Sequence, residues 1–155
     1  MDAHVVSAER VIAAPPEAIF DLLADASRHL DLDGSGQLRG VTSETPERLS
    51  LGATFGMSMH MGVGYSMVNT VIEFEESRRI AWQSRLAGRW GHLLGGRIWR
   101  YQLEPVGGGT LVRECWDISQ DHQRLFLRHR KVAEATRANI DRTLDRIDAL
   151  VAPAS

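Results

Sequence analysis

Apolar and polar residues alternate in short stretches through the middle of the chain, and a single long stretch with a helical repeat follows them. Residues 4–13 set Val5, Val6, Val11 and Ile12 among Ser7, Glu9 and Arg10, the β-branched content and partial alternation of a strand. Pro15 and Pro16 end it, because neither can donate a ladder hydrogen bond. The same prolines suit the first turn of a helix, where amide hydrogens have no partner to lose. Ala18, Ile19, Leu22 and Leu23 share one face of that helix, and a second short helix is predicted over 27–32, stopped by Gly34 and Gly36.

Six strands are predicted next. Residues 37–43 read as the first. Residues 53–61 alternate, with Phe55, Met57, Met59 and Met61 on one face and Thr54, Gly56, Ser58 and His60 on the other. A turn over 62–64 leads to a return strand over 65–75. Residues 79–86 put Ile80, Trp82, Ser84 and Leu86 on one face. The glycine-rich stretch 87–96 reads as a long mobile loop and a movable lid. Residues 97–105 and 110–118 form the last hairpin, across Gly107, Gly108 and Gly109.

From about residue 121 the period changes. Val132, Ala133, Thr136, Ile140, Thr143, Leu144, Ile147 and Val151 fall on one helical stripe, and charged residues occupy the rest. This predicts an amphipathic helix of about 30 residues, roughly 45 Å long. Hairpin-linked strands with helices gathered apart from them indicate an α+β fold around an antiparallel sheet of six or seven strands. A curled sheet gripping one helix closes imperfectly, and the gap between them is a ligand pocket by expectation.

Composition narrows the classes. The 155 residues carry 18 Lys and Arg against 20 Asp and Glu, so nothing suggests a nucleic-acid or polybasic membrane module. Cys115 is the only cysteine, which excludes an intrachain disulfide and a cysteine zinc cluster. No apolar run reaches the roughly 18 residues of a membrane span, and residues 1–10 lack the pattern of a signal peptide. The expectation is one soluble, cytoplasmic domain over residues 1–155.

Several motifs match a known family in order and spacing. They are Ile12-Ala13-Ala14-Pro15-Pro16-Glu17, residues 19–25, Gly52-Ala53-Thr54-Phe55-Gly56, residues 78–82, Trp99-Arg100-Tyr101-Gln102-Leu103-Glu104-Pro105 and residues 109–114. With them the chain resembles the polyketide cyclase/dehydrase branch of the START-like, or SRPBCC, superfamily over nearly its whole length. The resemblance implies the helix-grip (Bet v 1/START-like) fold. It implies no catalytic motif, because the superfamily holds lipid carriers, hormone receptors, aromatase/cyclases and ring-hydroxylase subunits on one frame.

On that frame Met57, Met59 and Met61, with Met67 across the hairpin, read as an adaptable pocket wall. Trp99, Tyr101 and Leu103, and likewise Val112, Glu114 and Trp116, are placed inward, because the opposite parity would bury Arg100, Gln102, Arg113 and Asp117. Trp82 and Asn69 join the expected ligand set. Glu114 then sits among aromatics, either bonded to Tyr101 as a register pin or serving the pocket as anchor or proton acceptor. His60 is expected outside, and His92 in the loop is the second acid–base candidate.

Metal readings fail on spacing. Asp31, Asp33 and Ser35 with Gly36 mimic half of a calcium loop, but Thr42 stands where a bidentate Glu is required, and Asp33 and Ser35 read as turn residues. His4, His29, His122 and His129 lack zinc spacing, so neither metal nor cofactor is expected. The basic run Arg124, Arg128, His129, Arg130 and Lys131 reads as a solvated face. The leading expectation is a binder of a hydrophobic or aromatic small molecule, lipid- or polyketide-like. Its enzymatic alternative is an aromatase/cyclase or dehydratase using Glu114 or His92, and its interaction alternative a homodimer through the sheet or helix face.

Overall fold

The structure, a computed structural model, describes residues 4–41 and 46–152, with the backbone alone at 40, 41 and 61. The strands are β1 (Val5–Ile12), β2 (Leu38–Val41), β3 (Thr54–Met61), β4 (Val63–Glu75), β5 (Arg79–Leu86), β6 (Gly95–Val106) and β7 (Gly109–Asp117). The helices are α1 (Pro16–Leu23), α2 (His29–Leu32), α3 (Arg124–Leu127) and α4 (Arg130–Val151). The strands form one antiparallel sheet in the order β1-β7-β6-β5-β4-β3-β2. The predicted α+β helix-grip architecture is what the chain adopts. Residues 42 and 43 of the first predicted middle strand lie outside the described residues.

Local chemistry sets the ends of α1. Pro15 takes the extended N-cap conformation and Pro16 opens the helix. The buried face is Ile19, Phe20, Leu22 and Leu23; Ala18, expected on that face, is exposed, and as the smallest side chain of the set it has the least apolar area to bury. An extra residue in β4 between Val71 and Glu73 shifts the register. Beyond it Phe74 packs edge-on against Phe20 at 5.3 Å, while Glu73 joins Arg100 on the outer face.

Two expectations are corrected. The closing helix is not continuous from residue 121, since His129 adopts φ −60°, ψ 139° and its ring Nδ1 accepts the Lys131 N–H at 3.2 Å. The helix restarts there and runs for 22 residues, about 33 Å. Leu125 and Phe126, ahead of the break, lie off the buried stripe and are exposed. The predicted loop over 87–96 is also shorter. A 3-10 turn occupies Arg89–His92, and β6 begins at Gly95. Gly95 and Gly96 are strand residues with φ +104° and +115°, placed against the Ser84 and Gln120 carbonyls where a Cβ would come within 2.7 and 2.5 Å. Their glycine content reflects close backbone approach, not a loop.

Candidate functional site

Register places the expected residues on one face. Trp82 pairs with Trp99, which pairs with Trp116, so three indoles lie side by side across β5, β6 and β7. The next row is Ile80, Tyr101, Glu114 and Ala8. The row on the other side holds Phe55, Asn69 and Ser84. Over this face lie Ile140, Leu144 and Ile147 of α4, all in the same core as Trp82, Tyr101 and Trp116. The predicted parity of the last hairpin therefore holds: Val112, Glu114 and Trp116 are buried, while Arg113 is exposed in an ion pair with Glu9.

Glu114 is the one buried carboxylate of this face, at 2% exposure. Tyr101 Oη donates to its Oε1 at 2.8 Å, and its Oε2 has no partner. Burial pushes the carboxyl up to about 8, the Tyr101 bond pulls the other way, and the nearby negative Asp33 adds to the rise. The group is thus largely protonated at neutral pH, a donor as well as an acceptor. Replacing Tyr101 by phenylalanine is expected to cost about 1–3 kcal/mol, the penalty for an orphaned buried partner. It should also move Glu114 above its present value, because the lost bond favoured the ionised form. A carboxyl-carbon NMR titration of Tyr101→Phe reads this, and an unmoved midpoint would show that the phenol does not reach the carboxyl.

His29 is a buried polar residue of this site to which the sequence did not point. It opens α2, is 2% exposed, and stacks on Trp82 with ring centroids 4.8 Å apart while meeting Phe55 edge-on at 5.3 Å. Its Nε2–H donates to the Leu23 carbonyl at 2.8 Å, which leaves Nδ1 as the basic nitrogen, buried without a partner. Burial lowers its proton affinity, so the ring is held neutral. Trp82 contacts both His29 and Tyr101, the latter at 5.6 Å, and so links the imidazole to the Tyr101–Glu114 pair. The available signal was His29 at the i−3 position to Leu32 on a short helix, the same face as a core leucine.

The remaining expected residues divide. Asn69, 1% exposed, accepts the Ser84 hydroxyl and donates to the Phe55 carbonyl at 3.4 Å, so its amide holds the strands together. Met57, Met59 and Met67 are half-buried, forming a less covered end of the face toward the β3–β4 hairpin, and Trp99, in the row of Trp82 and Trp116, is half-buried as well. The side chain of Met61 lies outside the described residues. His92 is exposed in the 3-10 turn and is not brought to the inner face; His60 is exposed as expected. Elsewhere in the molecule, concavities of about 380 and 660 Å³ open on the charged outer face and along the β1 edge, and neither touches these aromatics. Trp82, Tyr101 and Trp116, all at 5% exposure or less, instead fill the middle of this face under α4, which corrects the expectation of an open pocket between sheet and helix.

The calcium-loop mimic is a turn. One Asp33 carboxylate takes the Ser35 N–H and hydroxyl and the Leu38 N–H. Among the described residues no group of three His, Cys, Asp or Glu is arranged to hold a metal ion, and no helix is long and apolar enough to cross a membrane.

Comparison with known proteins supplies the frame. Residues 3–152 match the family described as polyketide cyclase / dehydrase and lipid transport. The uncharacterized protein Rv0088 of Mycobacterium tuberculosis is 34% identical over 114 residues, 72% of this chain and 46% of the relative. The chain thus spans about half the length of the curated relatives it matches. Major latex-like protein 151 of Panax ginseng superposes with a TM-score of 0.70 at 10% identity, covering 96% of this chain and 97% of its own. DynU16, a protein in the dynemicin biosynthetic locus, gives 0.66 at 14% identity, covering 94% and 46%. At such identities the two structures speak for the fold alone.

Proposed function

Because the chain belongs to the polyketide cyclase / dehydrase and lipid transport family, we propose that it binds a hydrophobic or aromatic small molecule, lipid- or polyketide-like, between the inner face of the sheet and α4, where the guest displaces side chains that close that space in its absence. The observation that carries this reading is Glu114, a buried carboxyl held by Tyr101 on one oxygen, unpartnered on the other and set among indole rings. Buried polar atoms are rarely left unpaired, and an oxygen-bearing guest is what would pair this one. The protonated carboxyl donates to a carbonyl or hydroxyl oxygen, and His29 Nδ1 accepts from a hydroxyl. Trp82, Trp99 and Trp116 supply flat apolar contact. Met57, Met59 and Met67 yield to the guest's shape at the half-buried end where it enters. Asn69 keeps the wall in register through Ser84.

The enzymatic reading is favoured by one specific feature: a carboxyl still protonated near neutral pH can act as a general acid. In a dehydration it would pass its proton to a leaving hydroxyl, releasing water, and regain one from the carbon that supplies the second hydrogen. His92 has no part in it.

Native mass spectrometry of the protein purified from its own cells should show a non-covalent adduct of such a molecule. A bare mass, together with failure to bind aromatic probes, would remove the reading. With the guest in hand, Glu114→Gln separates the two roles. Turnover lost with binding kept identifies an acid, whereas equal loss of both identifies an anchor.

A further inference from the structure

At the end of the sheet where β5 passes to β6 and β7 to α3, apolar side chains stand uncovered. Trp90, Leu93 and Leu94 are 51, 48 and 39% exposed, and Leu125 and Phe126 of α3 are 70 and 73% exposed. The two segments are tied together: Gln123 Nε2 donates to the Leu93 carbonyl, and its Oε1 accepts the Gly95 N–H, both at 2.9 Å. Cations flank them along the chain. Residues 85–97 hold Arg85, Arg89 and Arg97 with no acid, and residues 121–131 hold Arg124, Arg128, Arg130 and Lys131 with only Asp121. Asp121 is buried and paired with Arg97 at 3.0 Å, and Arg130 is 3.6 Å from Glu134. The rest of the chain carries eleven Lys and Arg against nineteen Asp and Glu. A net charge of −2 therefore conceals one basic end. At that end the Arg89 guanidinium lies over the Trp90 ring at 5.2 Å, beside the exposed leucines.

We infer that this end docks on the surface of an anionic lipid bilayer. Phe126, Leu125 and Trp90 enter the boundary between headgroups and acyl chains, and Arg89, Arg124, Arg128 and Lys131 meet the lipid phosphates. Protruding apolar tips ringed by cations match such an interface, where apolar burial and attraction to anionic lipid act together. A second copy of the chain would set these cations against their own kind. An acidic protein would satisfy the charges but would not answer apolar side chains as exposed as Leu125 and Phe126. This surface goes beyond the proposed ligand and stands whether or not the interior binds one.

The test uses the full chain and vesicles of phosphatidylcholine with or without phosphatidylglycerol. Sedimentation should show binding to the anionic vesicles that weakens with salt, with Trp90 fluorescence moving to the blue. Leu125→Asp with Phe126→Asp should weaken binding at least tenfold with an unchanged far-UV spectrum, since both side chains are exposed. Arg128→Glu with Lys131→Glu should cost at least about fivefold per charge. No binding to anionic vesicles, or binding by both variants as tight as the parent's, overturns the inference. So does a dimer on gel filtration that the Leu125/Phe126 variant separates, because a second copy then covers the patch.

Discussion

Replacing Gly34 by alanine should destabilise the fold by about 3 kcal/mol, the upper part of the range for forcing a group into a packed interior. A Cβ at Gly34 would come within 2.4 Å of the Asn139 carbonyl oxygen and 2.6 Å of the Thr143 amide nitrogen. Both are backbone atoms of α4 that cannot turn aside. The segment is fixed from both partners: the Gly34 N–H donates to Thr143 Oγ1 at 2.9 Å, its carbonyl accepts Arg142 Nε at 2.8 Å, and Arg146 donates to the Asp33 carbonyl. An added methyl must therefore push the whole segment off the helix. The melting temperature of a chain this size should fall by roughly 6–12 °C, and the denaturation midpoint should fall with it. Gly36→Ala is the control. Gly36 has φ +75° and open space around its Cβ position, so it should lose only about 1 kcal/mol of conformational strain. Equal losses at the two positions would mean that contact with α4 does not set the cost.

Gly34 also marks where the sequence stops being legible. Its neighbours announced a turn, and Asp33 with Ser35 makes that turn from bonds spanning two residues. The need for glycine comes from α4, more than a hundred residues later, and no local pattern carries it. The order of strands was readable because each hairpin declares itself by alternation between turn residues. The inward parity of β6 and β7 was readable because the other choice buries four charged or polar groups. The length of the last helix was misread because no glycine or proline stands between residues 121 and 152, while the break comes from the extended backbone of His129 and its ring cap. His29 escaped because a lone histidine on a short helix carries no period. Only the assembled sheet shows Trp82 and Phe55 waiting for its ring.

Stability of the protein should fall as pH rises from about 6.5 to 8, and Glu114→Gln should abolish that fall. Below its ordinary pKa of 4.5 the Glu114 carboxyl is protonated whether the chain is folded or not. Between there and about 8 the folded chain keeps a proton that the unfolded chain has lost. Each pH unit in that window costs about 1.4 kcal/mol, roughly 5 kcal/mol over the whole of it, and above about 8 the cost stops growing. His29 acts with the opposite sign. Its folded affinity for a proton is lowered from 6.5, so stability rises with pH up to that value, offsets the Glu114 slope there, and contributes nothing further above it. Glu73, lowered mainly by its Arg100 bond, acts at lower pH, and Cys115 and Tyr101, both raised by burial, act above 9. The interval from 6.5 to 8 therefore isolates Glu114, with a loss of about 2 kcal/mol. Urea melts across it should slope for the parent chain and stay level for Glu114→Gln, which keeps an acceptor for Tyr101 and carries no charge; parallel slopes would place the titrating group elsewhere. A guest that accepts the Glu114 proton as a hydrogen bond adds a partner to the neutral form, so in its presence the decline should continue to a higher pH before it levels off. That displacement would tie the buried carboxyl to ligand binding by a measurement on stability alone.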